Sequence, residues 1–167
     1  NKVYYPETKS TFKGECGSLR GYKTRVLPKD FSKPNIGITG VSSDFYGRNS
    51  FKDYGGGKYV VIVGGEEDCL AAYQMLRDYQ VQKKQDDYDP IPVVSVTSGE
   101  GSLAKQCAEQ YNWLDQFENI IVCMDNDDAG RKATQEALKV LPEDKARVMY
   151  CSLKDPSLML QEGKQKQ

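Results

Sequence analysis

The chain has no histidine among its 167 residues. That absence excludes imidazole general bases, Ser–His triads and most zinc sites, and leaves carboxylates, lysines, hydroxyls and bound cations to carry any chemistry. There is no CxxC pair either. The five cysteines (Cys16, Cys69, Cys107, Cys123 and Cys151) are scattered, four of them in apolar or helical contexts, which predicts buried free thiols. No apolar run approaches the roughly 18 residues needed to span a bilayer, and no signal-like segment opens the sequence. The expectation is a soluble, intracellular protein without a membrane partner. A strong charge bias is also missing. With 28% charged residues and a net charge of −1, a uniformly basic nucleic-acid coat is excluded, although a local basic patch is not.

What is present divides into two textures. Residues 1–57 are rich in Gly, Lys, Arg, Ser and aromatics, with extended candidates at Val3–Tyr5 and Ser18–Val26 and no helical period. This predicts a small basic N-terminal subdomain. From residue 58 to 167 the pattern becomes α/β. Four apolar runs, KYVVIV (58–63), IPVVSV (91–96), NIIVC (119–123) and ARVMYC (146–151), each precede a polar or glycine turn and helical material. Near-continuous apolar strands alternating with helices predict a mainly parallel sheet covered on both faces. Asp68–Tyr79 is expected to bury a stripe of Leu70, Tyr73, Leu76 and Tyr79. Asp128–Leu141 is expected to bury Ala129, Ala133, Ala137, Leu138 and Leu141. Between the first helix and the second strand, QVQKKQDDYDP (80–90) reads as an exposed connector. The abrupt start and the polar EGKQKQ end suggest a piece of a longer protein.

Ligands of such sheets bind beyond the carboxyl ends of the strands. Here those ends read GGEED (64–68), TSGEGS (97–102), MDNDDAG (124–130) and SLKDP (152–156), so acids and glycines converge. Asp125 and Asp127 alternate along an extended segment and can point the same way. Two such carboxylates either share a Mg²⁺ that also takes phosphate oxygens, or form an acidic turn capping the helix that begins near Asp128. Gly99 and Gly101 in SGEGS either admit a phosphate to backbone N–H groups or make an ordinary strand–helix turn. Lys154 and Asp155 in LKDP admit the same two readings, site or turn. Lys23, Arg25, Lys29 and Lys33, with Tyr22 and Phe31 among them, are either a solvated face or a surface for phosphates and stacked bases.

The order GGEED, SGEG, DNDDAG, KDP resembles the TOPRIM fold of topoisomerases and primases. YVVIVGGEEDCLAAYQML, the long stretch from VVSVTSGEGS through DQFENII and DNDDAGRKA to KVLP, and LKDP resemble more closely the primase of phage primase–helicases of the T-seven type, a group related to the mitochondrial helicase Twinkle. The resemblance spans residues 58–156. It implies RNA primer synthesis from nucleoside triphosphates on a single-stranded DNA template, in the cytoplasm of a phage-infected bacterial host. It further implies zinc-binding and helicase domains in a parent protein, with a replicative DNA polymerase as partner. By resemblance, Asp125 and Asp127 hold Mg²⁺ or Mn²⁺, supported by Asp68 and Asp155. Lys23, Lys29 and Arg25 match the basic positions that hold nucleotide and template.

One position departs from the family. Its Glu-Gly-Glu-x-Asp motif aligns with Gly64, Gly65, Glu66, Glu67 and Asp68, so the first motif glutamate is Gly64 here. Glu66 starts about 6–7 Å further along an extended chain and is not a ready replacement. Glu67 is better suited to the helix start, where acid complements the dipole. The expectation is that Gly64 weakens or abolishes nucleotidyl transfer while fold and nucleotide binding survive. Two other readings compete with an active primase: a non-catalytic nucleotide- or nucleic-acid-binding TOPRIM module, and a phosphatase of the haloacid-dehalogenase type with Asp125 as nucleophile.

Overall fold

A computed structural model describes residues 2–10, 17–28, 30, 32, 34–51, 57–85 and 87–163. The first part of the chain forms an antiparallel sheet of β1 (Lys2–Lys9), β2 (Ser18–Val26) and β3 (Ile36–Gly37), in that spatial order. The second part forms a four-stranded parallel sheet of β4 (Tyr59–Val63), β5 (Val93–Ser95), β6 (Asn119–Cys123) and β7 (Ala146–Val148), ordered β5-β4-β6-β7. The four apolar runs are these four strands, as the pattern predicts.

Helices cover both faces of the parallel sheet. On one face Val60, Ile62, Val94, Ile120 and Val122 pack against α2 (Leu103–Glu109), α3 (Tyr111–Leu114) and α4 (Asp128–Leu138) through Leu103, Cys107, Trp113, Leu114, Ala133 and Ala137. On the other, Val61, Val63, Val93 and Cys123 pack against α1 (Glu66–Gln82) and α5 (Pro156–Gln161) through Cys69, Ala72, Leu76 and Met159. Side chains alternate across a strand, so burial on both faces requires an unbroken apolar run. Val60, Ile62 and Val63 are fully buried, each contributing roughly 1.5–3 kcal/mol through area removed from water.

Two helix faces differ from the sequence expectation. In α1 the buried residues are Glu66, Cys69, Ala71, Ala72 and Gln80, whereas Leu70 and Tyr79 are exposed. In α4 Gly130, Ala133, Thr134 and Ala137 are buried, whereas Ala129 is exposed. Small residues face the sheet in both helices, letting the helix axis come close. Of the predicted stripes, Tyr73 and Leu76 of α1 pack against the core from its margin and Ala133 and Ala137 of α4 lie within it, while Leu70 and Tyr79 stay outside. The connector after α1 is exposed over Lys83–Gln85, but Gln80 is buried and donates from Nε2 to the Asp89 carbonyl at 3.1 Å.

The two sheets are joined by buried polar bonds and by shared core. Tyr46 and Ser95 exchange backbone hydrogen bonds of 3.0 and 3.1 Å, placing the segment before Gly47 alongside β5. Asp44 N donates to Thr8 O at 2.7 Å, and the Asp44 carboxylate accepts from Ser10 N, Arg48 and Gln110. Arg48 also donates to the Gln110 amide oxygen. Gln106, fully buried, satisfies Thr97 N, Thr97 Oγ1 and Ser43 O. Phe45 and Phe51 belong to the same core cluster as Val60 and Ile120. Cys69, Cys107, Cys123 and Cys151 are buried free thiols; Cys16 lies outside the described residues. No helix of the described residues is long and apolar enough to cross a membrane.

Candidate active site

The carboxyl ends of β4, β5 and β6 open into one cleft of about 730 Å³. After β4, Gly64 and Gly65 turn the chain into α1, whose first turn carries Glu66, Glu67 and Asp68. Glu66 faces inward and is 1% exposed. Its Oε1 accepts from Lys23 Nζ at 2.6 Å, while Oε2 is buried without a hydrogen-bond partner. Lys23 and Arg25 alternate on β2 and so share a face; Arg25 lies 3.6 Å from Glu67. Two of the basic positions read from sequence therefore face the acidic turn. Lys29, Phe31 and Lys33 lie outside the described residues.

Asp68 is the most perturbed carboxylate. Burial pushes it up to about 7, the charges of Asp155, Asp125 and Glu67 add to the shift, and a hydrogen bond from Ser157 N opposes it. Asp155 caps α5, its Oδ1 accepting from Leu158 N at 2.7 Å. Asp127 caps α4 in the same way, accepting from Gly130 N at 2.9 Å. Each cap satisfies an orphan N–H of a helix start and leaves a second oxygen. Asp125 and Asp127 converge as their alternation predicts, meeting at Lys154, whose Nζ lies 3.2 Å from Asp125 Oδ2 and 4.0 Å from Asp127 Oδ2. The hydrogen bond to Asp125, then the nearby carboxylate charges, raise the Lys154 ammonium above its ordinary range.

Glu100 enters from the turn after β5. Its Oε1 accepts from Asp125 N at 2.8 Å. Burial raises its carboxyl, the Asp125 N–H opposes the shift, and the Asp125 and Asp127 charges reinforce it. Gly99 lines the cleft with a φ of +77°, a conformation that favours glycine. Of the residues picked from sequence, Lys23, Arg25, Gly64, Glu66, Asp68, Gly99, Asp125 and Asp155 line the cleft, while Gly101 and Asp127 do not. Glu100, Thr39, Ser98 and Ser157 line it as well. A hint of Glu100 lay in the sequence, as an acid between two glycines at a strand end.

Among the described residues no three carboxylates or thiols converge closely enough to hold an ion as they stand; a lysine ammonium occupies the space between Asp125 and Asp127. The donors nevertheless suit a hard divalent cation. They are all oxygens, burial and then the neighbouring carboxylate charges push Asp68 up to about 7, and one buried carboxylate oxygen of Glu66 has no hydrogen-bond partner.

A family model described as Toprim-like matches residues 61–159. The chain belongs to the Toprim-like family. The match takes in every strand end described above. A DNA helicase/primase of Enterobacteria phage T3 is 42% identical over 102 residues, covering 61% of this chain and 16% of that protein. The Toprim-like chain thus spans a small part of the length of this relative. The primase fragment of the bacteriophage T7 primase–helicase superposes with a TM-score of 0.76 at 31% identity, over 97% of this chain and 59% of that one. A bacteriophage T7 assembly of lagging-strand DNA polymerase with primase domains bound to an RNA/DNA hybrid and dTTP contains a chain matching with a TM-score of 0.78. Identity there is 30%, over 99% of this chain and 73% of that one. The Aquifex aeolicus primase, at 18% identity and a TM-score of 0.61, shares the fold.

Proposed function

We propose that this chain is the RNA-polymerase (primase) domain of a phage-type primase–helicase. It condenses two nucleoside triphosphates on a single-stranded DNA template and extends the dinucleotide into a short primer. The observation that carries this reading is the convergence, around one cleft, of Glu66, Asp68, Asp125 and Asp155 with the cations Lys23, Arg25 and Lys154. Acids and bases interleaved around one cleft suit a triphosphate that must be held by its charge and positioned.

In the reaction the primer 3′-oxygen bonds to an α-phosphorus, the bridge to the β-phosphate breaks, and pyrophosphate leaves. A divalent cation, Mg²⁺ or Mn²⁺, supplies charge neutralisation at that phosphate when bound. Asp125 and Asp127, with Asp68 and Asp155, are the residues that would hold it. Lys23 and Arg25 bind phosphate or template backbone, as Lys29 does by resemblance. Gly99 and Gly101, where an added Cβ would meet nothing within 4 Å, leave the backbone open to a phosphate. Zinc-binding and helicase domains of a parent protein and a replicative DNA polymerase are the partners this reading requires.

A dinucleotide-synthesis assay with labelled ribonucleotide, single-stranded template and Mg²⁺ or Mn²⁺ tests it. Asp125→Asn is expected to lower the rate by at least about 100-fold, the scale of one lost electrostatic contact to a transition state, with the circular dichroism spectrum unchanged. A wild-type chain that binds template and nucleotide but makes no dinucleotide would favour the non-catalytic module, to which Gly64 points. The phosphatase reading is set aside because the family match covers the strand ends on which it rested.

A further inference from the structure

Gly64 lacks a side chain, but the space beside it is filled. A Cβ built on Gly64 would lie 3.0 Å from Glu100 Oε1, 3.2 Å from Asp125 Oδ1 and 3.4 Å from Glu100 Cγ. The volume into which a side chain at position 64 would grow is therefore occupied by the carboxylate of Glu100. The strand order explains the meeting. β5 and β6 flank β4, so the turn after β5 can reach across the end of β4 to the end of β6. Glu100 makes that reach and is held there by Asp125 N at 2.8 Å.

We propose that Glu100 supplies the carboxylate that Gly64 cannot, and that it serves as a ligand for the divalent cation of the site. A second, independent feature of the same cleft suits a cation: Glu66, 1% exposed and paired with Lys23 through Oε1, keeps its buried Oε2 without a hydrogen-bond partner. An acid brought from one strand end to another restores the count of carboxylates without restoring the motif. The expected impairment by Gly64 is then replaced by its opposite, an active site with one donor relocated. A carboxylate at position 64 would have to displace that of Glu100. This inference rests on the primase reading for the identity of the reaction, but not for the cation itself.

The test is Mn²⁺ titration of the 167-residue chain, followed by electron paramagnetic resonance, with dinucleotide synthesis measured in parallel. The chains compared are wild type, Glu100→Gln, Gly64→Glu and the double variant Gly64→Glu/Glu100→Gln. Glutamine keeps an acceptor oxygen for Asp125 N and nearly the same volume, so a role limited to packing or hydrogen bonding leaves Mn²⁺ affinity unmoved. Glu100→Gln is expected to weaken Mn²⁺ binding by about tenfold or more, the scale seen when the shell around a metal loses a group. Gly64→Glu alone is expected to give no gain, because two carboxylates then compete for one volume. The double variant is expected to bind Mn²⁺ more tightly than Glu100→Gln. Wild-type affinity in Glu100→Gln, or a gain in Gly64→Glu alone equal to that of the double variant, would overturn the assignment. So would a wild-type chain that binds no Mn²⁺. A wild-type chain that binds Mn²⁺ yet makes no dinucleotide sinks the primase reading, while the comparison of Mn²⁺ affinities still decides the role of Glu100.

Discussion

Asp68 is held in surroundings that favour its proton, and the consequence for stability has a definite sign. With its folded pKa raised to about 7, the native state binds a proton more tightly than the unfolded chain does. The stabilisation is fully present below the ordinary carboxylate range and is lost as pH rises through about 7. In metal-free buffer the melting temperature is therefore expected to fall between about pH 4 and pH 7 and to level off above. Asp68→Asn should flatten that dependence and stabilise the chain at pH 8 by the order of 2 kcal/mol. A differential scanning calorimetry series across pH reads both outcomes. Asp68, Asp125 and Asp155 were picked from the sequence as acids of the strand-end motifs, and all three line the cleft. Glu100 stands at a strand end too, but the sequence held only a hint of it. Its relation to Gly64 spans 36 positions of chain and exists only because β5 and β6 flank β4. Likewise the alternation of Lys23 and Arg25 could be read from β2, but nothing local said that β2 lies over the first turn of α1.

At the scale of the element, α4 starts where its backbone touches the strand end it follows. A Cβ on Gly130 would lie 2.1 Å from Asp125 O and 3.0 Å from Asp125 N, so the first turn of α4 can seat beside Asp125 only with glycine there. Gly130→Ala would ordinarily help a helix by roughly 1 kcal/mol. Here it must push the Asp125 backbone aside, and a net destabilisation of about 1–3 kcal/mol is expected, read as a lower melting temperature by circular dichroism. On the function proposed above, a larger loss of nucleotidyl transfer should accompany it, since Asp125 itself moves. The strand–helix alternation was plain from the sequence, and each strand of the parallel sheet fell within its predicted run, whereas β1 runs beyond Val3–Tyr5 and β3 was not foreseen. The buried face of α1 was legible only at Tyr73 and Leu76, because bulk alone does not decide burial. Where a helix lies close on a sheet, Cys69 and Ala72 fit the gap, and Leu70 and Tyr79 do not.

Over the whole molecule, the change of sequence texture at residue 57 does not coincide with a gap in packing. Phe45, 1% exposed, and Phe51, 7% exposed, complete the core beneath α3 and α1, where Phe45 packs at a tilt beside Trp113 and Phe51 beside Tyr73. Removing residues 1–57 withdraws both rings, each worth about 3–5 kcal/mol in a core, as well as the Asp44 and Gln106 bonds. A chain of residues 58–167 is expected to lose its cooperative thermal transition and to bind a fluorescent apolar dye. A sharp transition in that chain would show the parallel sheet to be self-sufficient. Texture follows local composition, whereas the core is assembled from side chains far apart in sequence.

The pairing of Tyr46 with Ser95 has one more effect. A terminal strand usually offers its outward N–H and C=O groups to any passing chain. On β5 those of Ser95 are taken by Tyr46, and the Val93 carbonyl accepts from the Cys69 thiol at 3.2 Å. Gly47 closes the remaining approach, since a Cβ there would stand 3.0 Å from that same carbonyl. Among the described residues the β5 edge is thus covered by its own chain, and the other edge strand of the parallel sheet is β7, three residues long. The cover on that edge is built into the segment that also carries Phe45.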